Sequence, residues 1–194
     1  MKKFDNELAA IQKQLSDMAD LARSMVYLSA AAVKDRARDV QAEIYASETR
    51  LNKMQTDIDH EAIRMLTVYG PVAKDLRYVL VCTHMTSQLE RIGDQAVNVI
   101  QSLQMMRSDP VAHPLRPKLQ KMADQVCQMV DDALDAYFSE NAEKAVLTRQ
   151  RDDLVDALYD QVLKELLTDQ VLREVLAGAT DIADAVAQIL IARY

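Results

Sequence analysis

The sequence predicts an all-α fold, and two features of its composition support that prediction. Only 3 of the 194 residues are glycine and 4 are proline, which is too few for the turns of a multi-stranded sheet because turns depend on these residues. Aromatic residues make up 5% of the chain, whereas strands favour aromatic and β-branched side chains. The apolar residues instead recur at steps of three and four, as on the buried face of a helix.

Charge and cysteine content exclude several classes of protein. The chain carries 30 acidic and 23 basic residues, a net charge of −7, which disfavours nucleic-acid binding because that role needs a concentrated basic face. No apolar run is long enough for a membrane span, and none follows the N-terminal lysine pair as in a signal peptide. Cys82 and Cys127 lack the spacing of a metal site. We expect a cytoplasmic protein with no nucleic-acid partner and no membrane insertion.

The first half of the chain predicts three long helices. The first covers residues 4–34 and is followed by a turn near residues 36–38. The second covers residues 40–69 and ends at Gly70-Pro71, because glycine commonly stops a helix and proline can open the next one. The third covers residues 72–106. Its apolar residues form a seam for packing against other helices, made of Leu89, Ile92, Ala96, Val99, Leu103 and Met106.

A proline-rich segment separates two domains. Three of the four prolines lie between Asp109 and Pro117, and proline both removes a hydrogen-bond donor and clashes within a helix. We therefore predict a linker over residues 107–117. It joins a first three-helix bundle over residues 1–106 to a second over residues 118–194.

An internal repeat relates the two halves. The pattern M-A-D-x4-M-V occurs at residues 18–26 and again at residues 122–130, a shift of 104 residues. A repeat of this length predicts a duplicated supersecondary unit. We expect two tandem three-helix bundles related by a pseudo-twofold axis, with Met18 equivalent to Met122 and Met25 equivalent to Met129.

The densest polar motif lies on the third predicted helix. Glu90, Asp94 and Asn98 follow at steps of four and span about 80° of the helix surface, directed away from the apolar seam. Carboxylates four residues apart repel by a few tenths of a kcal/mol, which a basic neighbour or a bound cation would offset. Gly93 costs about 1 kcal/mol relative to alanine and leaves the backbone beside Asp94 open to the close approach of a ligand, either a partner or an ion. The alternative is an ordinary solvated acidic face.

A second polar row lies on the preceding helix. Asn52, Gln55 and Asp59 stand one position after apolar residues, at the edge of the buried face. Oxygen ligands of this kind suit magnesium, manganese, calcium or iron rather than zinc. The sequence contains no glycine-rich phosphate loop, no GxSxG, no HExxH and no paired Glu-x-x-His motif. We therefore expect a protein that is not an enzyme and has no catalytic residues.

Two segments resemble the PhoU family of phosphate-signalling regulators. They are GPVAKDLR at residues 70–77 and LERIGDQAVN at residues 89–98. The resemblance covers the whole chain and implies the same fold of two tandem three-helix bundles. It further implies a cytoplasmic negative regulator of phosphate uptake and of the phosphate-starvation response. Such a regulator would link a Pst-type phosphate ABC transporter ATPase to a sensor histidine kinase.

The resemblance also implies a metal site, because some family members are similar to proteins that hold iron or other cations on these acidic stripes. The metal would be iron, manganese, magnesium or zinc. Gln55 stands where family members often have an acid, which weakens the row on the second helix. The ligands implied are Glu90, Asp94 and Asn98, then Asn52 and Asp59, with Asp156 as the weaker counterpart in the second repeat.

The family carries its E-R-x-G-D motif in both bundles, and a shift of 106 residues would start the second copy at residue 195. We therefore expect the second bundle to be truncated at its last helix and the natural chain to continue past Tyr194. Ile189 and Leu190 would then lack their full set of partners, and the helix end would fray or pair with another molecule. We also expect a homodimer. Two alternatives remain open, a metal-storage or metal-redox helical bundle and a metal-free helical adaptor.

Overall fold

The computed structural model describes residues 2–35, 40–105 and 115–166, together with Val186 and residues 190–192. Every regular element in these ranges is a helix, which confirms the all-α prediction. The turn predicted near residues 36–38, and residues 107–114 of the predicted linker, lie outside the described residues. The helices are α1 (Lys2–Lys34), α2 (Gln41–Tyr69), α3 (Ala73–Met105), α4 (Arg116–Phe138), α5 (Ala142–Gln150) and α6 (Asp152–Leu166).

The connection between α2 and α3 follows the predicted stop signal. Gly70 adopts a left-handed conformation with φ of 51°, which glycine enters without the steric cost of a Cβ atom. Its N–H donates to the carbonyl of Leu66 at 3.1 Å and so satisfies a carbonyl that the end of the helix would leave free. Helix α3 then begins at Ala73, one residue later than predicted.

Helices α1, α2 and α3 enclose an aliphatic core. Helix α3 packs against both α1 and α2, and each helix contributes a stripe of apolar residues at helical spacing. None of the helices in the described ranges combines the length and the apolar character needed to cross a membrane. The fully buried core side chains of this first bundle include Ile11, Leu15, Met18, Met25, Ile44, Leu51, Ile58, Met65, Val79 and Leu89.

Helix α3 packs on two sides, which changes the meaning of its predicted seam. Leu89 and Ala96 are buried, whereas Ile92 and Val99 are half-buried and line a cavity between the two bundles. A second buried row, one position further along, includes Gly93 and faces α1 and α2. The predicted seam therefore faces the cavity between the bundles as well as the core of the first one.

The second bundle repeats the plan of the first. Helices α1 and α4 end at Lys34 and Phe138, which are 104 residues apart, as the repeat predicts. Helices α5 and α6 together correspond to α2, and Arg151 between them has helical backbone angles. Equivalent positions on these helices are buried in both copies, Ile44 with Thr148 and Ile58 with Val162. The predicted duplication is confirmed.

The two bundles meet where α1 crosses α4. The Tyr27 hydroxyl donates to Asp131 Oδ2 at 2.5 Å, and these positions are equivalents in the 104-residue repeat. A residue that contacts its own equivalent lies on the axis relating the two copies, as a pseudo-twofold requires. Lys34 pairs with Asp124 at the edge of the same interface. A small apolar cluster fills its centre, made of Val26, Ala30 and Cys127 with Ala123, Val126 and Val130 around them.

Candidate functional site

Gly93 sets the spacing between α2 and α3 at the candidate site. A Cβ atom added to Gly93 would lie 2.3 Å from Leu51 Cδ2 and 3.3 Å from Met25 Cε, so a larger side chain has no room. The sequence suggested that this glycine left the backbone open to a ligand. That interpretation is wrong, because Gly93 is buried and the groups that approach it are Leu51 and Met25.

The acidic stripe on α3 lies beside this close contact. Glu90, Asp94 and Asn98 are all half-buried, whereas the sequence placed them on a face directed away from the packing residues. The difference arises because α3 is buried on two sides, so that its polar stripe lies at the edge of the α2–α3 interface. Each polar residue directly follows a buried one, in the pairs Leu89-Glu90, Gly93-Asp94 and Val97-Asn98.

Glu90 and Asp94 form a coupled carboxylate pair. Burial raises the pKa of Glu90 above its usual range, and the negative charge of Asp94 and a hydrogen bond with it raise that pKa further. Arg91 lowers the pKa of Glu90 in part, while the charge of Glu48 on α2 raises it. The negative charge around Glu90 is therefore only partly compensated, and a cation could be accommodated there.

Asn52 on α2 contributes an unsatisfied oxygen. Its Nδ2 donates to Glu48 Oε1 at 3.3 Å, while its Oδ1 is buried with no hydrogen-bond partner. A buried polar atom without a partner is destabilising by about 1–3 kcal/mol, so this oxygen is available to a ligand. Glu48 was not among the predicted residues, although it lies one turn before Asn52 and extends the same polar row.

Asp59 lies at the same edge, two helical turns past Asn52 on α2. The Thr86 hydroxyl of α3 lies 2.9 Å from Asp59 Oδ1 and 2.8 Å from the carbonyl of Thr83, within hydrogen-bond distance of both. Thr86 precedes Glu90 by four residues, so Asp59 and Glu90 occupy neighbouring turns of one α2–α3 edge. Asp59 therefore lies on the same α2–α3 edge as Glu90, but within the described residues it does not form a group of three carboxylates with Glu90 and Asp94.

Of the two remaining predicted ligands, Asn98 lies on the α3 stripe and Asp156 lies on a different surface. Asn98 continues the stripe one turn past Asp94, and its carbonyl accepts from the Ser102 hydroxyl at 2.9 Å. Asp156 is exposed on α6 and lines the cavity between the bundles, a different surface from the α2–α3 edge. It does not join Glu90 and Asp94.

The chemistry of the α2–α3 edge fits a hard cation. Its donors are all carboxylate and amide oxygens, which magnesium and manganese prefer. Over the described ranges, no group of three or more His, Cys, Asp or Glu residues is arranged to hold an ion. A cation here would therefore rely on the carboxylates of Glu90 and Asp94, the amide oxygens and water. Burial raises the pKa of Cys82 and of Cys127 to about 11, so neither provides a thiolate for a softer metal.

A cavity of about 1000 Å³ separates the two bundles. Its walls are mostly apolar and come from α1, α3, α4 and the α5–α6 pair. Gln95 of α3 faces it and has an Oε1 atom that is buried with no hydrogen-bond partner. The sequence did not indicate this cavity, because it depends on how the bundles are placed relative to each other.

Comparison with known proteins identifies relatives of both halves. A sequence model of the PhoU domain matches the chain over residues 15–103 and again over residues 119–194. The chain is 29% identical over 167 residues to the phosphate-specific transport system accessory protein PhoU homolog of Clostridium acetobutylicum, covering 86% of this chain and 76% of that protein. The homolog of Caulobacter vibrioides NA1000 is 30% identical over 169 residues, 87% of this chain and 73% of the relative.

A solved structure agrees with these matches. The crystal structure of PhoU from Pseudomonas aeruginosa aligns with a TM-score of 0.88 at 27% sequence identity. The alignment covers 98% of this chain and 88% of that one. The two domain matches begin at residues 15 and 119, which are separated by the 104 residues of the internal repeat.

Proposed function

The chain belongs to the PhoU family, and from this premise we propose that it is a non-enzymatic accessory protein of a phosphate-specific transport system. The observation that supports the proposal most directly is the double match of the PhoU domain, which covers both repeats. The relatives that match most of the chain carry the name of such an accessory protein.

Within that role, we propose negative regulation of phosphate uptake and of the phosphate-starvation response. On this proposal the chain contacts the ATPase of a phosphate ABC transporter and a sensor histidine kinase on the cytoplasmic side of the membrane. It would hold the kinase in its quiet state while phosphate is plentiful. Two bundles in one chain offer two separate surfaces, one for each partner.

Deletion of the gene in phosphate-replete cells tests the regulatory role. We expect expression of a phosphate-starvation reporter to rise and to return to its original level when the wild-type chain is supplied again. Binding of the purified chain to the purified transporter ATPase and to the kinase, measured separately, tests the two contacts. A reporter that stays low in the deleted strain would contradict negative regulation, and failure of both binding measurements would contradict the linking role.

We further propose that the α2–α3 edge binds a hard divalent cation. Glu90 and Asp94 would supply the negative charge, with Asn52, Asp59 and Asn98 as neighbouring oxygen donors. When bound, the cation would neutralise the two carboxylates. The proposal is supported by the raised pKa of Glu90 and by the unpartnered Oδ1 of Asn52.

Metal titration of purified protein without an affinity tag tests this site. We expect manganese or magnesium to bind the wild-type chain, and the double variant Glu90→Ala, Asp94→Ala to bind at least about tenfold more weakly. Asp94→Asn should lose nearly as much, because it keeps the shape but not the charge. Asp57→Ala is the matched control, since Asp57 is an exposed carboxylate on α2. Metal retained at full stoichiometry by the double variant would contradict the site.

A further inference from the structure

The outer faces of the two repeats differ in a systematic way. The shared burial of Ile44 with Thr148 and of Ile58 with Val162 fixes the register of α2 against α5–α6. Five exposed positions at heptad-like spacing can then be compared, and all ten residues are exposed. On α2 they are Glu43, Ala46, Arg50, Lys53 and Asp57, and on α5–α6 they are Leu147, Gln150, Leu154, Ala157 and Gln161.

We call the second set the outer stripe. It contains no charged residue, whereas four of its five equivalents on α2 are charged. Leu147 and Leu154 are 54% and 56% exposed, and the adjacent Val146 is 57% exposed. Leu147 on α5 and Leu154 on α6 lie seven residues apart, and Arg151 between the two helices keeps helical backbone angles. With the uncharged Gln150 as the stripe residue between them, they have the spacing of a helix-pairing surface. Single exposed apolar residues are common, but an aligned and uncharged row is a sign of an interface.

The outer stripe also has an acidic border. Asp153 and Asp160 are exposed along one side of it, and they lie seven residues apart in register with the leucines. The equivalent positions on α2 are Thr49 and Thr56, which carry no charge. The second repeat has therefore lost charge from the centre of this face and gained negative charge at its edge.

We propose that the outer stripe docks an amphipathic α-helix of a partner protein. The partner helix would place apolar residues at heptad spacing against Leu147 and Leu154, and lysine or arginine residues beside Asp153 and Asp160. This arrangement is the one used by helix pairs whose flanking charges select the partner. The surface lies on α5–α6 and shares no residue with the carboxylate pair on α3.

The negative charge of Asp153 and Asp160 favours a basic partner helix over two other possible occupants of the outer stripe. A second copy of the chain related by a twofold axis, with the helices antiparallel, would bring Asp153 and Asp160 against the same acidic edge of its neighbour. Like charges in that position destabilise the contact. An anionic membrane surface would meet the same repulsion. A basic helix instead gains from both aspartates.

A synthetic peptide of about three heptads tests the proposal. It has leucine at the two core positions of each heptad and lysine at the flanking positions, and a second peptide replaces every lysine with glutamate. Binding to the full chain is measured by fluorescence anisotropy at low and high salt. We expect the lysine peptide to bind at least about tenfold more tightly than the glutamate peptide at low salt, with a smaller difference at high salt.

Three pairs of substitutions assign the binding to the surface. Leu147→Glu with Leu154→Arg replaces the two leucines with the residues found at the equivalent positions of α2, Glu43 and Arg50. This double variant should bind the lysine peptide at least about tenfold more weakly. Asp153→Thr with Asp160→Thr should weaken it about threefold and reduce its salt dependence. Glu43→Ala with Arg50→Ala is the matched control on α2 and should leave binding unchanged.

The outcomes that would overturn the proposal are distinct. Lysine-peptide binding that survives Leu147→Glu with Leu154→Arg would place the contact elsewhere, and equal binding of the two peptides would remove the role of the acidic border. Sedimentation of the wild-type and substituted chains tests the second copy as occupant. A dimer that becomes a monomer on these two substitutions would mean that another copy of the chain covers the stripe.

Discussion

The two bundles are copies of one plan, yet their half-buried carboxylates have opposite electrostatic surroundings. In the first bundle, Glu90 and Asp94 are coupled carboxylates whose charge is only partly compensated. In the second, Asp132 of α4 lies between two cations, with its carboxylate 3.0 Å from Lys144 Nζ and 2.5 Å from Arg151 Nη1. The two copies share the buried positions that set helix register. Their polar groups stand at different places in the repeat, and the position equivalent to Asp132 in the first bundle is Leu28.

Apolar packing also differs between the two bundles. Met25 is fully buried at the point where α1 meets Gly93, whereas its equivalent Met129 is half-buried and lines the cavity between the bundles. Helix α2 continues without interruption, but its counterpart is divided at Arg151, whose N–H donates to the carbonyl of Thr148 three residues earlier. At these positions, within the residues that the structure describes, the first bundle is the more tightly packed of the two copies.

Truncation of the equivalent methionines should give the largest difference between the bundles. We expect Met25→Ala to lower the free energy of unfolding by about 2–5 kcal/mol, because it removes a fully buried side chain and leaves a space in the core. Met129→Ala should lower it by about 1 kcal/mol or less, because that side chain already borders open space. Urea denaturation of both variants measures the two losses. Equal losses would mean that the bundles are equally well packed.

Gly93→Ala tests the close contact that Leu51 and Met25 make with α3. Alanine favours a helix over glycine by about 1 kcal/mol, but its Cβ would overlap Leu51 Cδ2, and overpacking costs about 1–3 kcal/mol. We therefore expect a net destabilisation of about 1 kcal/mol. In a Leu51→Ala background the overlap disappears, and the same substitution should become stabilising.

The Leu51→Ala single variant serves as the reference for that double-mutant cycle, measured by the same denaturation. A change of sign between the two backgrounds identifies steric contact as the reason for glycine at this position. If Gly93→Ala stabilises the wild-type protein, the α2–α3 spacing does not depend on the missing Cβ atom.

The sequence predicted those features of the fold that depend on neighbours along the chain. The helix ends at Lys34 and Tyr69 follow from periodicity and from Gly70, which are local signals. The features that it did not predict depend on the packing of one helix against another. Gly93 is buried by Leu51 of α2, and the pKa of Glu90 is raised in part by Glu48 of α2. The spacing of residues along α3 alone cannot predict either effect.

Lowering the pH should give the smallest difference in stability between the bundles. The contributions of Glu90 in the first bundle and Asp132 in the second should change with opposite signs. The pKa of Glu90 is raised in the folded state, so its ionised form costs stability above that pKa, and the cost is relieved as pH falls through it. The pKa of Asp132 is lowered by hydrogen bonds and charges from Lys144 and Arg151. Its stabilising effect is present above the unfolded pKa and is lost as pH falls through the folded one.

Glu90→Gln and Asp132→Asn separate these two effects when each is compared with the wild type across pH in a chelating buffer. At neutral pH, Glu90→Gln should be more stable than the wild type by about 0.5 kcal/mol, and Asp132→Asn less stable by no more than about 1 kcal/mol, since partly exposed pairs are weakened by solvent. The difference caused by Glu90→Gln should disappear as pH falls to the ordinary range of glutamate, because the folded wild type takes up a proton first. The difference caused by Asp132→Asn should persist to lower pH, because its folded pKa lies below the ordinary value for aspartate. If Glu90→Gln is destabilising at neutral pH, either a cation already neutralises the carboxylate pair or the Glu90 carboxylate makes another stabilising contact. Adding manganese distinguishes the two explanations. A larger loss of stability in the presence of manganese would identify the cation.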